Sequence, residues 1–335
     1  MCRSRRFAFA LFCCAALFAS HVNGETPLAA GDHTRTLKHD GRTRSYIVHI
    51  PPKYDSKRPT PVVLVFHGGG GNAEQMMRYC GVSKKADSEN FIAVYPNGTG
   101  RSDHMLTWNG GNCCAYAMRN NVDDVGFTRA LLDDLAKVAT IDAKRVFATG
   151  MSNGGIMVYR LASELSDRIA AIAPVSGTMG TATCNPRRPV SVMHFHGTAD
   201  EFVPFKGGRG SNTLTRTINF FSVEHSINAW VKADGCSEKP AVTDMPKKID
   251  DGTTVQRKTY GPGKDRAEVV LFIINGGGHA WPGRERGTAV LGKSTQNISA
   301  VDLMWEFFKR HPMPTPKTTG AKAAVKGIAA AISSS

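Results

Sequence analysis

Beyond its first two dozen residues the sequence has no apolar run approaching the length of a membrane span, which excludes an integral membrane body. It has no dense Lys/Arg stretch with interleaved aromatics, so no nucleic-acid partner is expected. CxxC and HxxxH spacings are missing, so no metal is expected. The one glycine run that could cradle a phosphate lacks the Lys-Ser/Thr ending of a P-loop, and no nucleotide or other cofactor is implied. No internal repeat is visible.

What remains is a chain of 335 residues, 41% hydrophobic and 21% charged, a globular composition that fits one large domain. Arg3, Arg5 and Arg6 precede an apolar run over 7–19, and Val22 and Gly24 sit at cleavage spacing. This predicts a secretory signal peptide over 1–24 rather than a membrane anchor, with the mature protein extracellular or periplasmic and off the membrane. The formal charge is +14, but Arg3, Arg5 and Arg6 leave with the signal, and Lys317, Lys322 and Lys326 fall in a Pro/Thr/Lys/Ala segment. That segment, 313–335, reads as a disordered tail. The basic residues left are scattered, as on a solvated surface, although an acidic polymer could benefit from them. Cys80, Cys113, Cys114, Cys184 and Cys236 remain after export, an odd number in an oxidising compartment. A bond between neighbours strains the chain, so the expectation is Cys80 with Cys113 or Cys114, and Cys184 with Cys236.

Strand patterns cover 45–50, 61–66, 91–95, 145–149, 169–175, 190–195 and 269–274. Several are unbroken apolar runs, such as Val62-Val63-Leu64-Val65, which suits strands buried on both faces of a parallel sheet. Helical patterns at 123–139, 153–165, 223–233 and 300–309 alternate with them, while 209–220 reads as a polar loop. The fold class predicted over 25–312 is α/β, a doubly wound, mostly parallel sheet in a single domain.

Three glycine-rich segments follow strands in this order. Gly150-Met151-Ser152-Asn153-Gly154 is a G-x-S-x-G set between a strand and a helix, the setting of a nucleophile elbow, with Ser152 as nucleophile. His196-Gly197-Thr198-Ala199-Asp200 offers Asp200 as the orienting acid, with Glu201 its neighbouring rival. Gly276-Gly277-Gly278-His279 offers His279 as the base. The order Ser, Asp, His is that of the α/β-hydrolase fold. His67, His194 and His196 precede the acid and so stand in the wrong order; His194 reads as a core residue. Upstream, His67-Gly68-Gly69-Gly70-Gly71 follows a strand and can turn amides toward an oxyanion. The expected donors are the amide of Asn153 and that of Gly68 or Gly69.

Segments 150–155, 108–127 (with Cys113-Cys114 and Asn121 to Phe127), 196–204 and 277–283 together resemble the polyhydroxybutyrate depolymerase-like esterases, which include feruloyl and acetylxylan esterases. The resemblance runs from about 46 to 311. It implies Ser152, Asp200 and His279 as the triad and an ester as substrate.

The function so expected is a secreted serine carboxylic ester hydrolase acting through an acyl-enzyme on Ser152. Its substrates would be feruloyl or acetyl esters of plant polysaccharide, or short polyhydroxyalkanoate esters. Trp281, Trp108 and Tyr116 are candidates for the substrate wall. Alternatives are a prolyl-oligopeptidase-like peptidase, which usually carries a further large domain, or a non-catalytic binder of the same fold. The sequence carries no signature of a particular oligomeric state.

Overall fold

The computed structural model describes residues 26–285 and 289–315. The expected signal segment and the tail beyond 315 lie outside them.

The elements follow one another as β1 (Gly31–His39), β2 (Arg42–Ile50), β3 (Thr60–Phe66), α1 (Ala73–Cys80), α2 (Val82–Glu89), β4 (Ile92–Pro96), α3 (Ala115–Arg119), α4 (Asp124–Val138), β5 (Ile141–Met151), α5 (Asn153–Glu164), β6 (Ala171–Val175), β7 (Ser191–Gly197), β8 (Gly208–Arg209), β9 (Asn219–Phe220), α6 (Val223–Asp234), β10 (Ala241–Asp244), β11 (Thr254–Tyr260), β12 (Val269–Asn275) and α7 (Ala300–Arg310). Ten strands form one sheet in the order β1-β2-β4-β3-β5-β6-β7-β12-β11-β10. From β4 to β12 neighbours run parallel. The outer strands β1, β2, β11 and β10 are antiparallel additions. The small ribbon β8-β9 stands apart. This is the α/β-hydrolase architecture.

Alternation along β3 explains the two layers. Val62, Leu64 and Phe66 point into a core with α4, α5 and α6, which includes Phe127, Leu131, Met157, Tyr159 and Trp230. Val63 and Val65 point the other way, toward α1, α2 and α7, into a core with Met76, Phe91, Met304, Trp305 and Phe308. Every residue of β3 is therefore buried, which an unbroken apolar run allows and a half-exposed strand would not.

Helix starts are fixed by side-chain caps. Asp123 accepts from the amide of Gly126 and opens α4; Ser222 accepts from His225 and opens α6; Ser299 accepts from Asp302 and opens α7. Each satisfies one of the orphan donors of a first turn. Helix α5 has no such side-chain cap, and it begins directly after Ser152.

The cysteine expectations are corrected. Cys113 bonds to Cys114, while Cys80, Cys184 and Cys236 are thiols. Cys80 is buried on the α1 side of the sheet, in a different core cluster from Cys113.

Candidate active site

Ser152 terminates β5 at the turn into α5 with φ 56° and ψ −122°. A non-glycine residue in this region costs on the order of 1–3 kcal/mol and persists only where its surroundings enforce it. The enforcement is visible. The Ser152 amide donates to Val175 O at 2.8 Å, and the next turn is pressed onto β3. A Cβ at Gly154 would collide with the carbonyls of Phe66 and His67, so only glycine permits this approach. Ser152 itself remains partly exposed while its neighbours Met151 and Asn153 are buried.

Asp200 and His279 arrive on neighbouring strands. β7 and β12 pair in parallel, and their loops are joined beyond the sheet: Thr198 N donates to Ile274 O and Ala199 N to Gly277 O, both at 2.9 Å. A Cβ at Gly197 would strike the Gly277 carbonyl, so this seam also requires glycine. His279 Nδ1 donates to Asp200 Oδ2 at 2.8 Å, with both side chains buried. Asp200 Oδ1 accepts the amides of Phe202 and Val203, each at 2.9 Å. Burial opposes ionisation of Asp200. The facing His279, its hydrogen bond, His196 and the Val203 amide outweigh it and hold the carboxyl below its usual range. Glu201, the rival acid, is exposed and contributes only its backbone carbonyl, to the amides of Ser211 and Asn212.

Because Nδ1 is committed to the carboxylate, the free nitrogen of His279 is Nε2. Phe202 stacks on the imidazole with ring centroids 4.9 Å apart, a neighbour that spacing alone does not identify. Ser152, Asp200 and His279 all stand at the C-terminal ends of parallel strands β5, β7 and β12, along one edge of the sheet. That is the edge where open α/β sheets carry their chemistry.

The glycine loop after β3 lies against the elbow. From a Cβ built at Gly68 the Ser152 Cβ is 3.5 Å away, and from Gly69 the Asn153 Cβ is 3.5 Å away. Among the described residues the amides of Gly68, Gly69 and Asn153 meet no acceptor, whereas those of Gly70 and Gly71 are engaged by Leu106 O and Gly68 O. The loop is held by His67. Gly98 N donates to its Nε2 at 3.0 Å, so the ring proton sits on Nδ1, which donates to Gly68 O at 2.7 Å. Burial keeps this imidazole neutral, its pKa down to about 4.

Segment 108–127 supplies the opposite support. Asn153 Oδ1 accepts from Trp108 N at 2.7 Å, and Asn153 Nδ2 donates to Trp108 O at 3.0 Å. The strand-like exchange is locked by Asp124, which accepts Asn109 N at 2.8 Å and Arg44 Nη2 at 2.7 Å. The 121–127 motif is thus a clamp on the loop beneath the elbow.

The expected substrate wall needs correction. Trp108 and Trp281 are both 0% exposed, so neither offers a face to a ligand. Trp108 packs on Phe66 and donates its indole N–H to His67 O at 3.0 Å; Trp281 belongs to the core under α7. Tyr116, on α3, is only half-buried. A separate small apolar cluster of Cys113, Ile156, Val203 and Phe220, with half-buried Cys114 and Ile218, lies between the elbow helix and the loop after Asp200. No cluster of His, Cys, Asp and Glu among the described residues could hold a metal. No described helix is long and apolar enough to cross a membrane.

Residues 53–230 match the family model described as phospholipase/carboxylesterase. The NocK protein of Nocardia uniformis subsp. tsuyamanensis is 31% identical over 281 residues, 80% of this chain and 79% of that protein. Feruloyl esterase B of Piromyces equi is 29% identical over 81% of this chain but only 46% of its own length. A solved acetyl xylan esterase from Aspergillus awamori aligns with a TM-score of 0.54 at 13% identity, covering 83% of this chain and 99% of that one, a likeness of fold. A strained serine at a strand–helix elbow, an Asp–His pair on the same sheet edge and this family match converge: the chain belongs to the phospholipase/carboxylesterase family of α/β-hydrolases and is a carboxylic ester hydrolase.

Proposed function

We propose that this chain is an exported serine esterase that cleaves feruloyl or acetyl esters of plant polysaccharide through an acyl-enzyme on Ser152. The observation carrying the mechanism is the His279–Asp200 pair at 2.8 Å on the sheet edge that also bears the strained, partly exposed Ser152. The feruloyl assignment draws on the similarity to feruloyl esterase B.

Asp200 orients the imidazole and stabilises its charged form. His279 Nε2 takes the proton of Ser152 as its oxygen bonds to the ester carbon. The carbonyl oxygen becomes an oxyanion facing the unengaged amides of Asn153 and of Gly68 or Gly69. As the intermediate collapses, the ester C–O bond breaks and His279 gives its proton to the leaving alcohol. Water then adds by the same route, and the acid leaves as Ser152 regains its proton. No cofactor enters this sequence.

The test is a substrate panel on the purified chain: a feruloyl ester, an acetylated xylo-oligosaccharide, a short hydroxybutyrate ester and a prolyl peptide, with a fluorophosphonate probe read by peptide mapping. Feruloyl or acetyl turnover with labelling on Ser152 is expected. Cleavage of the peptide alone, or labelling elsewhere, rejects the reading. For export, N-terminal sequencing of protein from culture fluid should find a start close to residue 25.

A further inference from the structure

Behind Asp200 lies a row of buried side chains that the mechanism above does not use. Tyr159 of α5 and His194 and His196 of β7 are each 1% exposed or less. Tyr159 Oη lies 2.7 Å from His194 Nδ1, His194 Nε2 lies 3.0 Å from His196 Nδ1, and His196 Nε2 lies 2.8 Å from Val203 O. His196 Nε2 is also 3.4 Å from Asp200 Oδ2, the same oxygen that receives His279. The two imidazole planes are parallel to within 2°.

The far end fixes the proton positions throughout. Val203 O can only accept, so His196 Nε2 carries the proton. Burial disfavours the charged form of both imidazoles, so His196 is neutral and its Nδ1 is an acceptor. His194 must then donate from Nε2 and accept at Nδ1, and Tyr159 must donate its hydroxyl proton. Only one arrangement of protons satisfies these hydrogen bonds together.

We propose that Tyr159, His194 and His196 form a tautomer-locking chain that presents a fixed N–H to the Asp200 loop, making all three positioning residues for the acid of the triad. This rests on the serine-esterase reading above. A neutral imidazole in the other tautomer would turn a lone pair toward both the Asp200 carboxylate and the Val203 carbonyl. That repulsion would loosen the turn whose Phe202 and Val203 amides hold Oδ1. The His196 N–H also draws charge from Oδ2, so it moderates the pull of Asp200 on His279. The ionisable groups facing Asp200 are His279, from the loop after β12, and His196; those facing His196 are Asp200, His279 and His194. Tyr159 faces His194 and, from the loop after β6, Cys184.

The experiment compares Tyr159→Phe, His196→Leu and His196→Gln in steady-state kinetics across pH, with Tm measured in parallel. Leucine removes the donor. Glutamine keeps a donor for Val203 and an acceptor for His194. His196→Leu should lose about ten-fold or more in kcat at little change in KM, with the acidic limb of the rate profile moved to higher pH. His196→Gln should recover most of that loss. Tyr159→Phe, which removes one oxygen and leaves the core intact, should move the limb in the same direction by less; it keeps the test alive if His196→Leu does not fold. The proposal is overturned if folded variants keep the wild-type kcat and limb, or if glutamine is as poor as leucine with the limb unmoved. Ser152→Ala runs alongside. If it retains activity, the esterase mechanism itself fails; if it is inactive while the chain variants match wild type, only the chain proposal fails.

Discussion

Asn153 and Trp108, 45 residues apart in sequence, exchange a pair of hydrogen bonds in which a side-chain amide takes the place of a neighbouring strand. The residue that follows the proposed nucleophile therefore has two tasks in this reading. Its backbone amide stays free for an oxyanion, and its side chain ties the elbow to the 108–124 clamp. Asn153→Ala leaves the buried Trp108 amide unpaired, at a cost of about 1–3 kcal/mol, while the Trp108 carbonyl keeps the amides of Gly110 and Cys114. The expected outcome is a Tm lower by several degrees, about 2–4 °C per kcal/mol for a chain of this size, together with a fall in kcat. A variant with wild-type Tm and turnover would contradict this account.

Ser152→Ala should reduce turnover by about 10⁴-fold or more. The fold should be preserved, because the elbow is held by Gly154 and the Ser152 amide rather than by the hydroxyl. Circular dichroism and a spectrophotometric ester assay on the same preparation check both halves.

Mild acid should remove stability through three buried imidazoles. Burial lowers the pKa of His67 to about 4 and that of His194 and His196 in the same direction. The unfolded chain binds protons on these groups near pH 6.5 while the folded chain does not. Their contribution is thus complete above that pH and is lost as pH falls toward 4. In the Asp234→Asn background, which removes the opposing titration of that carboxyl, urea midpoints should drop between about pH 6.5 and pH 4.5; a flat midpoint over that window would refute the assignment of buried neutral imidazoles.

Asp234 has the opposite sign. Burial pushes its carboxyl up to about 7; Oδ1 accepts Val190 N at 2.9 Å while Oδ2 has no hydrogen-bond partner among the described residues. A raised acid stabilises the fold fully below its unfolded value and loses that contribution as pH rises through 7. Asp234→Asn keeps the acceptor and removes the titration. It should be more stable than wild type at pH 8, with a clearly smaller advantage at pH 5, as thermal melts at the two pH values would reveal.

Thiol titration of the denatured, unreduced chain should count Cys80, Cys184 and Cys236 as reactive and Cys113 and Cys114 as bonded. A single reactive thiol would overturn this assignment.

The parallel strands were legible because burial on both faces leaves continuous apolar runs, as over 62–66. The elbow was legible because its glycines are imposed by backbone contact with β3. The outer strands were less so. β1 alternates exposed and half-buried polar residues, and β10 is exposed throughout, so neither carries a core signature. Helices α1 and α2 are eight residues each, too short for a long periodic stripe, and α2 is mostly polar. The tryptophans misled because motif position says where a residue stands along the chain, not which way its ring turns. His196 was set aside on chain order, a rule that identifies the base and says nothing of what stands behind the acid.

The seam between 198–199 and 274–277 divides the proposed triad unequally. Acid and base travel as one stitched piece on β7 and β12, while the serine comes from beyond β6. Breathing of the sheet would then alter the reach from imidazole to hydroxyl while leaving the imidazole–carboxylate contact intact. Attempts to graft or retune this enzyme should transplant both loops as a unit and treat the serine turn as a separate part.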